Sequence, residues 1–196
     1  MESLEIAARS RSPLSLPRMN GGDRVTRSRG PWLERLAVIG NGAMRLRIRP
    51  DAGPLPGSRA TGSGFVLAAI PVYPDRLAGP GADRLAVPTE TDLWEGITRL
   101  RHSFGLDDDL AGFRETFSQD AQLGPAIRRR LVHRPLRRID PWEALLWAIT
   151  EQLIEYRRAA AIQRRMIRKW GIRMEGDRPE DTLGIVPSPD VVAGAA

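Results

Sequence analysis

Residues 140–171, DPWEALLWAITEQLIEYRRAAAIQRRMIRKWG, hold the clearest start signal in the chain, its densest apolar pattern and its heaviest arginine loading. Asp140 can accept from the free N–H groups of a first helical turn. Pro141 suits the first helical position, where its missing N–H would be unpaired anyway, and Glu143 stands where a capping box needs a carboxylate. A helix therefore starts here. Leu145, Ile149, Leu153, Tyr156, Ala160, Ile167 and Trp170 recur at helical spacing and share one stripe, while Arg157, Arg158, Arg164, Arg165, Arg168 and Lys169 crowd the other side. Lys169 falls in the last turn, where the helix dipole favours a cation, and Gly171 suits a left-handed C-cap. Periodicity alone allows a single long helix that packs on the Leu145 stripe, with Leu146, Trp147 and Ile154 lying away from it as a second, sticky face.

The chain's charge gives that arginine face a context. Its 196 residues carry 30 Lys+Arg against 24 Asp+Glu, a net charge of +6. All but one of the basic residues are Arg, amid abundant Gly, Ala and Pro. The excess fits a polyanionic partner and fits equally the codon bias of a GC-rich genome, so only local clusters carry weight. The absence of Cys excludes disulfides, thiolate zinc sites and cysteine nucleophiles. His102 and His133 are too few for a histidine metal site, so neither metal nor cofactor is expected. No apolar run approaches the ~20 residues of a membrane span, and the N-terminus is too polar for a signal peptide. The expectation is a soluble, cytoplasmic protein.

Residues 1–30, rich in Ser, Arg, Gly and Pro, read as a flexible basic arm. Residues 31–88 read as a β-rich domain. Two short strands, Leu36-Ala-Val-Ile39 and Met44-Arg-Leu-Arg-Ile-Arg49, meet through an Asn41-Gly42 turn suited to a type I′ hairpin. Met44, Leu46 and Ile48 take one face, and Arg45, Arg47 and Arg49 make the other basic. A third strand runs from Phe65 to Tyr73, and Pro71 makes its later part an edge or an end. From residue 89 the chain reads as helical. Thr89 or Thr91 caps a helix that ends at Gly105, and Asp107, Asp108 and Asp109 introduce a second short one. Three consecutive Asp at a helix N-terminus are favoured electrostatically and do not form a calcium loop.

The most concentrated basic cluster comprises Arg128, Arg129, Arg130, Arg134, Arg137 and Arg138, with no acid among residues 124–138. Arg matches phosphate oxygens bidentately, so these are candidate DNA-phosphate contacts. Pairing with Asp107, Asp108 and Asp109 accounts for them equally well. Further on, Ser188 and Pro189 open a new helix.

Asp140, Trp142, Glu143-Ala144, Ala148-Ile149, Gln152 and the Ala-rich continuation resemble the entry helices of the helix-hairpin-helix DNA glycosylases, in particular the bacterial 3-methyladenine DNA glycosylase II branch. The resemblance covers some thirty residues. It implies an α+β chain in which a β-rich N-terminal domain with a small antiparallel sheet precedes an incomplete all-α glycosylase domain at residues 89–196. It implies base excision of alkylated purines from double-stranded DNA without a cofactor, by a monomer when complete, associated with the nucleoid. Gln152, with its neighbour Leu153, would line the base pocket. The family breaks its helix at this point, so two helices are expected, parted between Gln152 and Tyr156, with Glu155 in place of the usual hydroxyl cap. Glu151 stands where the wider family has Gly. The family's Leu-Pro-Gly-Ile-Gly-like hairpin and the Asp that follows it have no counterpart. Leu183-Gly184-Ile185-Val186-Pro187 lacks the second Gly, so Asp181 and Asp190 inherit no catalytic role. The expectation is a chain truncated before the catalytic half, with a non-catalytic DNA- or partner-binding module as the alternative.

Overall fold

The alternation of Met44, Leu46 and Ile48 with Arg45, Arg47 and Arg49 has the period of a strand and forms one. The computed structural model describes residues 2–14, 16–17, 25–51, 64–129, 134–135, 137–176 and 181–195. Strands β1 (Leu4–Arg9), β2 (Thr26–Arg29), β3 (Trp32–Ile39), β4 (Gly42–Pro50) and β5 (Gly64–Val72) form an antiparallel sheet in the order β1-β5-β4-β3-β2. The β3–β4 loop is Gly40-Asn41, one residue earlier than expected. Of the two, only Gly40 has positive φ (58), so the turn uses glycine at its first central position, as type II′ does, rather than the doubly positive type I′.

The first thirty residues are not merely an arm. Leu4, Ile6 and Ala8 alternate toward the core while β1 pairs with β5 from Leu4↔Ala69 to Arg9↔Gly64. Beyond β1, Leu14 is buried, the Arg11 amide donates to Leu106 O at 2.8 Å, and the Leu110 amide donates to Ser12 Oγ at 3.0 Å. Composition hid this strand because only three apolar residues, two places apart, define it. Pro71 lies past the end of β1, so its missing donor breaks no pairing there.

Helix α1 (Glu90–Phe104) covers one face of the sheet. Thr89 and Asp92 form a reciprocal capping box, and Gly105 (φ 59) stops the helix in the left-handed conformation. Leu93, Ile97, Leu100 and Phe104 are buried against Met44, Leu46, Ile48, Phe65 and Leu67. Each such side chain contributes about 1.5–3 kcal/mol by area, and this layer is the main core.

On the opposite face, among the described residues, an apolar cluster packs at one end. There Leu36, Ala43 and Val72 meet Leu183, with Leu77, Leu85, Met174 and Ile185 around them. These belong to β6 (Leu77–Ala78), β7 (Arg173–Met174) and β8 (Leu183–Gly184), a three-stranded sheet in that order. Helices α2 (Ala111–Phe117), α3 (Gly124–Arg129), α4 (Pro141–Glu151), α5 (Tyr156–Trp170) and α6 (Pro189–Ala193) complete an α+β fold. Ser188 Oγ caps α6 by accepting from the Val191 amide at 3.4 Å. Among the described residues no helix is long and apolar enough to cross a membrane.

Candidate nucleic-acid interface

The break expected between Gln152 and Tyr156 is present: α4 ends at Glu151 and α5 begins at Tyr156. Asp140 Oδ1 opens α4 by accepting from the amides of Trp142 at 2.6 Å and Glu143 at 3.3 Å. Two details differ from expectation. Glu155 occupies the N-cap of α5 without a side-chain cap bond, since its longer side chain is not fixed on the first-turn amides as a hydroxyl would be. Gly171 is extended (φ −83) rather than left-handed, because the chain leaves α5 directly into β7.

Glu143 does not complete a capping box either. It is 2 % exposed and pairs with Arg35 of β3 through Oε2 and with Arg138 through Oε1 at 3.1 Å. This buried carboxylate sets the rotation of α4 on the sheet. Leu146 and Trp147 therefore turn inward, at 5 % and 3 % exposure. Arg138 lies over the Trp147 ring at 4.5 Å, and Trp147 stacks on Tyr156 at 5.9 Å, tying α4 to the start of α5. Gln163, fully buried, donates to Leu146 O at 3.3 Å and Thr150 Oγ1 at 2.9 Å, closing the helix pair.

The apolar stripe read from the sequence thus splits: Ala160 and Ile167 on α5 are buried, whereas its α4 half and the corner face outward. Leu145, Ile149, Leu153 and Tyr156 are all exposed, and Leu153 entirely so at 104 %. Leu153 also has φ 60, the one non-glycine positive φ among the described residues. A leucine in that conformation carries about 1–2 kcal/mol of strain, and nothing packs on its side chain in return. Gln152, beside it, is exposed as well. Both candidate base-pocket residues thus lie at the corner between α4 and α5, open to solvent.

The arginine clusters divide unevenly. Arg134 is buried and donates to the carbonyls of Gly105, Ser12 and Pro13. Burial lowers its pKa, partly offset by Asp108. Arg137 pairs with Asp108 at 2.9 Å, and Arg138 is held by Glu143. These three serve the fold. Arg128 and Arg129 are exposed and donate to Ser118 O and Pro125 O, and Arg130 lies outside the described residues. The aspartates stop short of the helix they were expected to open, since Leu110 is the N-cap of α2 and its first turn holds no acid. Asp107 pairs with Arg101 at 2.5 Å and Asp109 accepts from the Ala111 amide, and no metal-binding group occurs among the described residues.

The basic residues next to the corner lie on α5, which buries Ala159, Ala160, Gln163 and Ile167. Arg157, Arg158, Arg165 and Arg168 are exposed and form no ion pair among the described residues. The signal for them was present in the sequence as the arginine side of residues 140–171. The denser cluster at residues 128–138 drew attention from it.

Glu151 and Glu155, the carboxylates at the corner, are exposed. Hydrolysis of a glycosidic bond needs a free carboxylate placed at the sugar. Among the described residues the buried carboxylates are Glu34, Glu143 and Asp181, and each is ion-paired. Glu34 lies between Arg27 at 2.7 Å and Arg47 at 3.1 Å, on the sheet face away from α1. There Arg47 and Arg49 also lie over Trp32 at 4.6 and 5.1 Å, so the face expected to be simply basic is partly neutralised.

No protein-family model matches the chain, and no curated protein matches its sequence. In fold the chain is similar to a solved structure described as 3-methyladenine DNA-glycosylase from Archaeoglobus fulgidus, with a TM-score of 0.68 at 13% identity over 97% of this chain. The match spans 58% of that protein's length, and at this identity it establishes a shared α+β fold.

Proposed function

We propose that the chain supplies the N-terminal sheet and the entry helices of a DNA repair glycosylase that hydrolyses the N-glycosidic bond of alkylated purines in duplex DNA. The observation that carries this reading is Leu153: an apolar side chain held fully exposed, on a strained backbone, at the break between two helices. Strain and exposure together point to function, because folding alone rewards neither. Enzymes that act on a base must take it out of the stack, and apolar wedges that part base steps are a recurrent means. Leu153 is suited to the vacated space. Gln152, one residue away, can offer its amide to the displaced base, and the exposed arginines of α5 can take the flanking phosphates. The similar fold of a protein described as a 3-methyladenine DNA-glycosylase supports the reading.

In this proposal the chain alone binds damaged DNA and excises little or nothing. Its buried carboxylates are ion-paired, and its sequence has neither the hairpin nor the following Asp of the resemblance. The completed enzyme works without a cofactor, as a monomer, on chromosomal DNA in the cytoplasm. The lack of that hairpin and of the Asp that follows it favours a second reading, a DNA-binding module without catalysis. Incubation of the purified chain with alkylated and undamaged duplexes separates the two. The glycosylase reading predicts salt-dependent binding that prefers the damaged duplex, with almost no free base released. Equal affinity for both duplexes supports the second reading, and full turnover by the chain alone overturns the assignment of the catalytic Asp to another polypeptide segment.

A further inference from the structure

We propose that a cavity on the sheet's second face, opposite α1, is a binding site for a phosphate-class anion, built on Arg29, Arg45 and Arg76. These three line one cavity of about 220 Å3 together with Arg27, Tyr73 and Asp181. They reach it from three directions: Arg29 from the edge strand β2, Arg45 from β4, and Arg76 from the 3-10 turn at Pro74–Arg76.

Charge is unbalanced among the described residues that line this cavity. Arg27 is satisfied by Glu34 and by Asp181, and Arg47 takes the second oxygen of Glu34. Arg29, Arg45 and Arg76 make no ion pair among the described residues, and the remaining carboxylate lining the cavity is the exposed Glu175. Arg45 is the informative member. It is half-buried, and its Nε is sealed from solvent without a hydrogen-bond partner. Burial lowers its pKa, and Glu34 opposes that shift while Arg47, Arg27 and Arg29 add to it. An unpartnered donor on a desolvated cation is destabilising unless an acceptor arrives, and the group that answers several converging guanidiniums is a tetrahedral oxyanion. The cavity exceeds the space one water needs and is open to solvent, so an anion has room and access.

The ligand chemistry has two sources, a free phosphorylated small molecule or a backbone phosphate of nucleic acid. The site does not depend on the glycosylase reading, since it lies on the face of the sheet opposite α1. Thermal melts of the whole chain in inorganic phosphate against chloride of equal ionic strength test it, with calorimetric titration of pyrophosphate. The expected result is a phosphate-dependent rise in Tm, with pyrophosphate binding weakened about tenfold or more in Arg45→Met, the fold-change for losing a charge-assisted hydrogen bond. Arg29→Gln, at an exposed edge position, gives the same direction without touching the core. If both variants also weaken duplex DNA binding, the phosphate comes from nucleic acid; if DNA affinity is unchanged, it comes from a small molecule. Equal Tm shifts and equal pyrophosphate affinities in the wild type and both variants overturn the site.

Discussion

Two apolar surfaces of similar composition behave in opposite ways. On α1, Leu93, Ile97, Leu100 and Phe104 vanish into the sheet, whereas on α4 and at its end Leu145, Ile149 and Leu153 stand in water. Both stripes have helical spacing, so the pattern is not what separates them. Helix α1 is polar on its far side and has one face to bury. Helix α4 is apolar nearly all round, and a buried ion pair decides which side goes in. A helix that keeps a second apolar face exposed is organised around something other than its own core.

The largest effect should come from the residue that makes this choice. Glu143→Ala leaves Arg35 buried without its partner and should destabilise the chain by about 3–5 kcal/mol, read as a lower urea midpoint. If the midpoint hardly moves, the rotation of α4 is set by Leu146 and Trp147 instead. Next comes the direct contrast of the two stripes. Leu100→Ala should cost about 2–5 kcal/mol, whereas Ile149→Ala should stay within about 0.5 kcal/mol. Comparable losses would mean that the α4 face is covered in solution.

Relief of backbone strain gives a smaller effect of opposite sign. Leu153→Gly removes a non-glycine residue at φ 60 and should stabilise the chain by up to about 1 kcal/mol in the same unfolding experiment. The smallest effect is expected at Asp120, whose carboxylate accepts from the amides of Leu123 at 2.7 Å and Gln122 at 2.8 Å. Those two bonds hold its pKa below the usual carboxylate range in the folded state. The associated stability is present above the unfolded pKa and is lost as pH falls through the folded one. Asp120→Asn should therefore flatten the acid limb of stability against pH by lowering the neutral plateau slightly, with little change at acid pH.

How far the sequence speaks depends on whether the deciding interaction is local. The capping box of Thr89 and Asp92, the stop at Gly105 and the Ser188 cap are contacts within a few residues, and each was readable. The break at residues 152–155 was legible only through family resemblance, because Tyr156 onward continues the apolar period. Which face of α4 is buried was not legible: the partner that fixes it, Arg35, is 108 residues away. Partners in the cluster at residues 128–138 were hidden for the same reason, since Arg134 finds its acceptors at Ser12 and Pro13 and Arg137 finds Asp108. Of the candidate site, Gln152 and Leu153 were named through the resemblance, and the structure puts both in the break between α4 and α5. It gave no hint that Leu153 would be strained and fully exposed, which is a property of the backbone rather than of the residue type.

In the proposed function the corner at Leu153 enters DNA. Titrating the chain into duplex DNA carrying a fluorescent adenine analogue that brightens when unstacked tests it most directly, with the wild type compared against Leu153→Gly. The account predicts a salt-sensitive rise in fluorescence for the wild type and its loss in the variant, although the variant is the more stable protein. An equal rise from both would contradict it.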